Sequence, residues 1–449
     1  MSILGENTDL IKNLNGLANT AGKAAAGAAG AAGKAAVAAG AAVADTAGAA
    51  GKAAAAGAKK VHQAFGGEYG DEIVSNVRLE DGSYAVPNPL IDDRENSDVG
   101  AIRARYEKLT QPGIFAKASK RIGEAAPKEI VALAAKVGDS AKDTWNGLSQ
   151  QELMIRAIKV AGEGFGELEK QAAKASVSKE YVLQRINEGK QAQKVADFSE
   201  ICLLRSYDVA SIVANERLQH LGVALAEGAG TGAAGFAGLP FNLALSMFAY
   251  FRAVQSVAMF YGYDVKDDPA ELIIAGEVFS RGLAPGAKGD ATTDYVGKLL
   301  VYAEVAGIQQ AAKKGWYAMA SRGGAALLVA QTRALANSAA RKAVEKSGKK
   351  VLEAGVFKNA LEQVGKQMTL KTVGKAVPVI GAGFGALFDT AQMSKILDFA
   401  GLYYQKRFII DKADRVDRLL GRAADVEVGV PEGLADELAE DIVEAEETE

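Results

Sequence analysis

The chain has 449 residues, 49% apolar and 24% charged, with 50 glycines, nine prolines and a single cysteine, Cys202. That length supports an ample core and more than one module, and the lone cysteine excludes a disulfide framework and fits a reducing compartment. The formal net charge of −3 hides an asymmetry: no Lys or Arg follows Arg422, and residues 423–449 carry eleven Asp and Glu, which leaves the rest of the chain at +8.

Residues 1–66 open with MSILGENTDLIKNLNG, which lacks the basic and then apolar pattern of a secretory signal. From Ala21 to Lys60 the chain is nearly all alanine and glycine, with charges at Lys23, Lys34, Asp45, Lys52 and Lys59. Their spacings of 11, 11, 7 and 7 residues put these five charges on one side of a helix. Alanine buries too little area to fill a core, so the other face suits a bilayer surface or a crowded helix contact. Eight glycines from Gly22 to Gly57 each cost up to ~1 kcal/mol, so this helix forms only when docked.

Residues 67–100 change character. Val77-Arg78-Leu79 and Tyr84-Ala85-Val86 flank Asp81-Gly82 and read as a small β-hairpin, ended by Pro87-Asn88-Pro89. The acidic stretch from Asp92 to Asp98 reads as an exposed linker. Residues 101–422 are helical in pattern. Ser149-Gln150-Gln151-Glu152 is a capping box, Asp268-Pro269-Ala270-Glu271 a second helix start, and Thr293-Asp294 a third. No run of alternating β-branched residues supports a sheet-based core. The expected fold is all-α, a multi-helix bundle with a central apolar helical hairpin and a minor β-hairpin insert. Residues 423–449 read as an acidic tail, a solvated extension.

Residues 228–251 contain no charge over 24 positions, long enough to span a bilayer as helix. Five glycines, Pro240 and Asn242 interrupt the run, and Glu227 and Arg252 bound it. It reads as two apolar half-segments meeting at Gly238-Leu239-Pro240. Residues 376–388 are apolar but too short to span, a buried or re-entrant element with glycines at 381, 383 and 385. A permanent span, conditional insertion and a buried soluble core all remain open at this point. Lys313-Lys314-Gly315-Trp316-Tyr317, followed by Arg322, Arg333, Arg341 and Lys342, combines aromatics and cations as headgroup-depth segments do. The commonest explanation of such a run is a solvated helix face.

Catalytic and metal signals are weak. His62, His220 and Cys202 offer no zinc spacing, and neither a G-x-S-x-G elbow nor a P-loop occurs. Gly230-Thr231-Gly232-Ala233-Ala234-Gly235 matches G-x-G-x-x-G but lacks the preceding strand that a dinucleotide site needs. Asp264, Asp267 and Asp268 read as helix caps, with a calcium or headgroup contact as the alternative. The spacings Arg407/Asp411/Arg415 and Asp414/Arg418 read as i,i+4 ion pairs on a solvated helix.

Gly238-Leu239-Pro240-Phe241-Asn242, Phe251-Arg252-Ala253-Val254-Gln255 and Tyr261-Gly262-Tyr263-Asp264 together resemble the central signature of the EcsC family. Val377-Pro378-Val379-Ile380-Gly381-Ala382-Gly383 resembles its C-terminal Pro-x-x-Gly element, although Asp389 stands where many members carry Asn. The resemblance covers roughly residues 101–420. It implies a bacterial, all-α, membrane-proximal protein whose namesake is encoded beside an ABC-type transporter, and it supplies no reaction and no active-site residue. Gly238, Pro240, Arg252, Tyr261, Gly262, Pro378 and Gly381 are its pattern positions, with structural roles implied.

The expected function is therefore a non-enzymatic, membrane-associated helical protein, accessory to a transporter or envelope process. It is expected in the cytoplasm, at the membrane peripherally or conditionally. The alternatives are a soluble scaffold or regulator and a pore-forming toxin. The expected partner is an anionic lipid or a membrane protein such as an ABC transporter, with self-association open, no nucleic acid and no cofactor. Candidate membrane contacts are Lys23, Lys34, Lys52, Lys59, Lys313, Lys314, Trp316 and Tyr317.

Overall fold

The computed structural model describes residues 75–110, 150–172, 178–189, 193–216, 239–283, 285, 294–301, 316–321, 323–367, 382–422, 428–429 and 433–447. Their architecture is all-α. In chain order come β1 (Ser75–Asn76), α1 (Asp93–Thr110), α2 (Gln150–Ala172), α3 (Lys179–Glu188) and β2 (Gln193–Lys194). A 3-10 turn (Phe198–Leu203) leads into α4 (206–216). Then follow α5 (Leu239–Phe260), α6 (Pro269–Leu283), α7 (Asp294–Val301) and α8 (Trp316–Ala320). The chain closes with α9 (Ala325–Ser347), α10 (Lys349–Gln367), α11 (Ala382–Leu419) and α12 (Leu434–Glu447).

The small β element forms around the expected turn. Arg78 bridges Tyr84 in antiparallel fashion, Leu79 N donates to Ser83 O, and Gly82 N donates to Leu79 O. β1 also pairs in parallel with β2, which ties this insert to the body. The stretch Asp92–Asp98 is not an exposed linker. Asp92 and Glu95 form a reciprocal cap that starts α1, and the side chain of Glu95 is fully buried.

α11 is the spine. Its 38 residues span ~57 Å, and it packs against α1, the 3-10 turn, α5, α6, α7, α8 and α9. α5 and α6 form an apolar helical hairpin, although its turn lies at 261–268, after α5. α5 starts at Leu239, so Pro240 sits in its first turn, where the missing N–H costs nothing. α2 lies along α5, and α10 packs on both α2 and α6. Rings from four helices meet between them: Phe248–Phe357 centroids are 5.0 Å apart, Phe165–Phe248 5.1 Å and Phe251–Phe279 5.5 Å. Residues 228–238, expected as the first apolar half-segment, and 376–381, the start of the expected buried or re-entrant element, lie outside the described residues.

The acidic C-terminal region departs from a solvated extension. Residues 434–447 form α12, which docks on α9 and α10 through Ala435, Ala439 and Ile442, a buried stripe at helical spacing. Its outer acids meet α9, with Lys342 paired to Asp436 and Lys346 to Glu440.

Candidate functional site: a buried ionic centre

Asp268 accepts a hydrogen bond from Ala270 N, Pro269 takes the first helical position, and Glu271 falls in the first turn of α6. There the helix dipole favours its negative charge. Arg407 of α11 meets that carboxylate with both terminal nitrogens, each at 2.6 Å, the bidentate geometry that a planar guanidinium favours. Both side chains are buried. Burial pushes the Glu271 carboxyl up, but the Arg407 charge outweighs it and holds the group below its usual value.

Tyr263 lies between two guanidinium groups. Arg407 Cζ is 4.0 Å from the ring centroid and Arg415 Cζ is 4.6 Å away, both within cation–π range. The Tyr263 hydroxyl donates to Asp411 at 3.0 Å, and Asp411 lies 3.6 Å from Arg407 Nε. Burial raises the Asp411 carboxyl to about 6 despite both arginines. The charge series at 407, 411 and 415 therefore faces the core, which corrects its reading as a solvated surface. Asp414 and Arg418 do form the expected pair, with Arg418 partly exposed.

The turn Tyr261-Gly262-Tyr263-Asp264 is what brings this centre together. Gly262 closes α5 at φ +76°, with its N–H on Met259 O and the next N–H on Ala258 O, a Schellman cap. Arg415 then donates to Tyr261 O at 2.9 Å and to Gly262 O at 3.0 Å. A Cβ on Gly262 would collide with that guanidinium, so glycine is required twice over. Tyr261 itself is buried and borders a pocket of about 150 Å³ between α1, α4, α5 and α11.

A second cluster lies beside the first. Lys412 Nζ donates to Glu95 at 2.9 Å and to Leu204 O at 2.8 Å, and Arg205 reaches the same Glu95 at 3.0 Å. Ser206 N completes the acceptor shell of Glu95 at 2.8 Å. Burial lowers the Lys412 amine, and the Glu95 charge offsets part of that. Lys406, also buried, donates to Leu300 O and is lowered to about 7 by burial. Burial also raises the Cys202 thiol, which disfavours its reactive thiolate form.

Among the expected site residues, Arg252 is buried in the middle of α5, 2.7 Å from Glu353 and 3.3 Å from Glu169. It does not mark a water boundary of the apolar run. Trp316 is buried as a packing residue, whereas Tyr317 is exposed. Lys23, Lys34, Lys52, Lys59, Gly238, Lys313, Lys314, Pro378 and Gly381 lie outside the described residues. Sequence reading missed Glu95, Arg205, Lys412 and the ring of Tyr263. The capping spacing Asp92-x-x-Glu95 was the available signal for the first.

Fold and site together define an all-helical protein whose central helix is tied to its neighbours by charge pairs inside the core. The profile of the EcsC protein family matches residues 103–409, more than half of the chain, and the chain belongs to that family. The match takes in Tyr263, Glu271 and Arg407 and stops just short of Asp411 and Lys412. No curated protein and no solved structure matches the chain.

Proposed function

We propose that this EcsC-family chain is a non-enzymatic helical scaffold that attaches peripherally to an anionic membrane surface on the cytoplasmic side. There it would serve a membrane protein such as a transporter. One observation carries the reading. The window Leu243–Phe260 is long and apolar enough to cross a bilayer, yet 89% of it is buried inside the helical body. Arg252 and Gln255 of that helix are also held by Glu353 of α10. An apolar helix packed in this way is occupied by protein, so attachment falls to surface charge, and the chain ahead of its acidic end carries +8. The charged groups of the core support the same reading, because Arg407, Glu271, Lys412 and Glu95 hold helices to each other.

Flotation of the full chain with phosphatidylcholine vesicles, with and without phosphatidylglycerol, tests this. Binding is expected only with the anionic lipid, with release at high salt, where the Debye length falls from about 8 Å to about 3 Å. Vesicles loaded with dye should stay sealed, because a pore would require α5 to leave its partners. Failure to float with either lipid, release by detergent alone, or dye leakage would each overturn the proposal.

A further inference from the structure

α12 closes a pocket of about 50 Å³ against α6, α7, α9 and α10. Ile273, Ile274, Leu335 and Leu438 supply apolar wall, and Glu277, Glu437 and Asp441 supply three carboxylates. Among the described residues no lysine or arginine lines it. Gln363 Nε2 donates to Glu277 Oε1 at 3.5 Å, but Oε2 is shut from solvent and accepts no hydrogen bond among the described residues. A buried carboxylate oxygen without a donor is costly, and its position fixes what would relieve it. No group of three or more metal-ligating side chains gathers among the described residues. The missing partner is thus a donor that carries its own hydrogens and tolerates hydrocarbon beside it.

We propose that this pocket binds a primary alkylammonium group, which donates to Glu277 while the exposed Asp441 and Glu437 add negative potential at the rim and its first methylenes lie on the isoleucine and leucine wall. The volume admits an ammonium and a short length of chain. Burial raises the Glu277 carboxyl to about 7, an effect that Gln363 and Arg281 oppose and Asp441 reinforces. Tyr295 of α7 also lines the pocket, Tyr403 of α11 lies within electrostatic reach of Glu277, and the polar groups from α9 and α10 that line the pocket, Thr332 and Gln363, carry no charge. The ammonium binds the ionised carboxylate, so affinity rises with pH up to the carboxyl's own titration and then levels off.

Calorimetric titration of the full chain with ethylamine, n-butylamine, ammonium chloride and a lysine-bearing peptide tests the site. At about pH 8, butylamine should bind more tightly than ethylamine by about fourfold per methylene that enters the wall. Below the titration of Glu277 the affinity should fall by up to about tenfold per pH unit. Glu277→Gln should weaken binding by about tenfold or more. Ala336→Leu, which fills the pocket without touching a carboxylate, should abolish it and serves if the first variant fails to fold. Tighter binding of the peptide assigns the site to a partner's lysine, and tighter binding of the small amine assigns it to a free amine; either upholds the proposal. Absence of binding by all four ligands, equal affinity for ammonium chloride and butylamine, or unchanged binding in both variants would overturn it.

Discussion

Charge pairs join helices in two regions of this protein, and their settings differ in the one variable that sets their worth. Around Tyr263 the side chains of Arg407 and Glu271 are 1% and 3% exposed, whereas between α9 and α12 those of Lys342 and Asp436 are 36% and 56% exposed. In the first region each charge has lost its water and depends on its partner, so removing one leaves the other stranded. In the second, solvent screens both charges and the apolar stripe of α12 does most of the holding. Similar chemistry thus acts as an obligatory internal tie in one place and as a minor guide to docking in the other.

The largest expected effect tests the first half of that contrast. Glu271→Ala should lower the stability of the chain by about 3–5 kcal/mol, measured by urea unfolding. Replacing both partners with apolar groups, Glu271→Leu with Arg407→Met, should return most of that loss, because no charge is then left alone. A loss below about 1 kcal/mol for Glu271→Ala would put the pair in water and erase the distinction.

A middle-sized effect separates the buried centre from an ordinary helix end. Gly262 and Gly421 both stand at positive φ in Schellman caps, at the ends of α5 and α11. Around Gly421 a Cβ would meet nothing within 4 Å, while at Gly262 it would meet the Arg415 guanidinium. Gly421→Ala should therefore cost about 1 kcal/mol, and Gly262→Ala about 2–3 kcal/mol. Equal losses in thermal unfolding would mean that Arg415 steps aside and does not brace the turn.

The smallest effect sharpens the other half. Lys342→Ala should change stability by no more than about 0.5 kcal/mol, and added salt should shrink even that. Ile442→Ala, on the buried stripe of the same interface, should cost about 2 kcal/mol or more. If the lysine proved the larger of the two, α12 would be an electrostatic strap and the contrast would fail.

Local patterns carried much of the fold. Asp268-Pro269 announced α6, Glu152 marked the start of α2, and the Asp-Gly turn appears where residues 81–82 placed it. The EcsC signature Tyr261-Gly262-Tyr263-Asp264 was visible as a string, but its purpose was not. Its carbonyls and its ring are met by Arg407 and Arg415, more than 140 residues later, and no spacing rule reaches that far. The i,i+4 charges of α11 were legible as pairs, yet their depth was not. Charged residues are almost always exposed unless paired, and the partners Glu271 and Glu95 come from distant helices.

What the chain determined by itself was its all-helical class, some of its helix starts and its family, because caps, periodicity and turn residues act over a few positions. Tertiary structure decided which side of each helix met water. It turned the apolar run of α5 into core, drew the charges of α11 inward and laid the acidic end against α9 and α10. Those outcomes depend on desolvation, which is set by whatever neighbours a residue acquires when the whole chain folds.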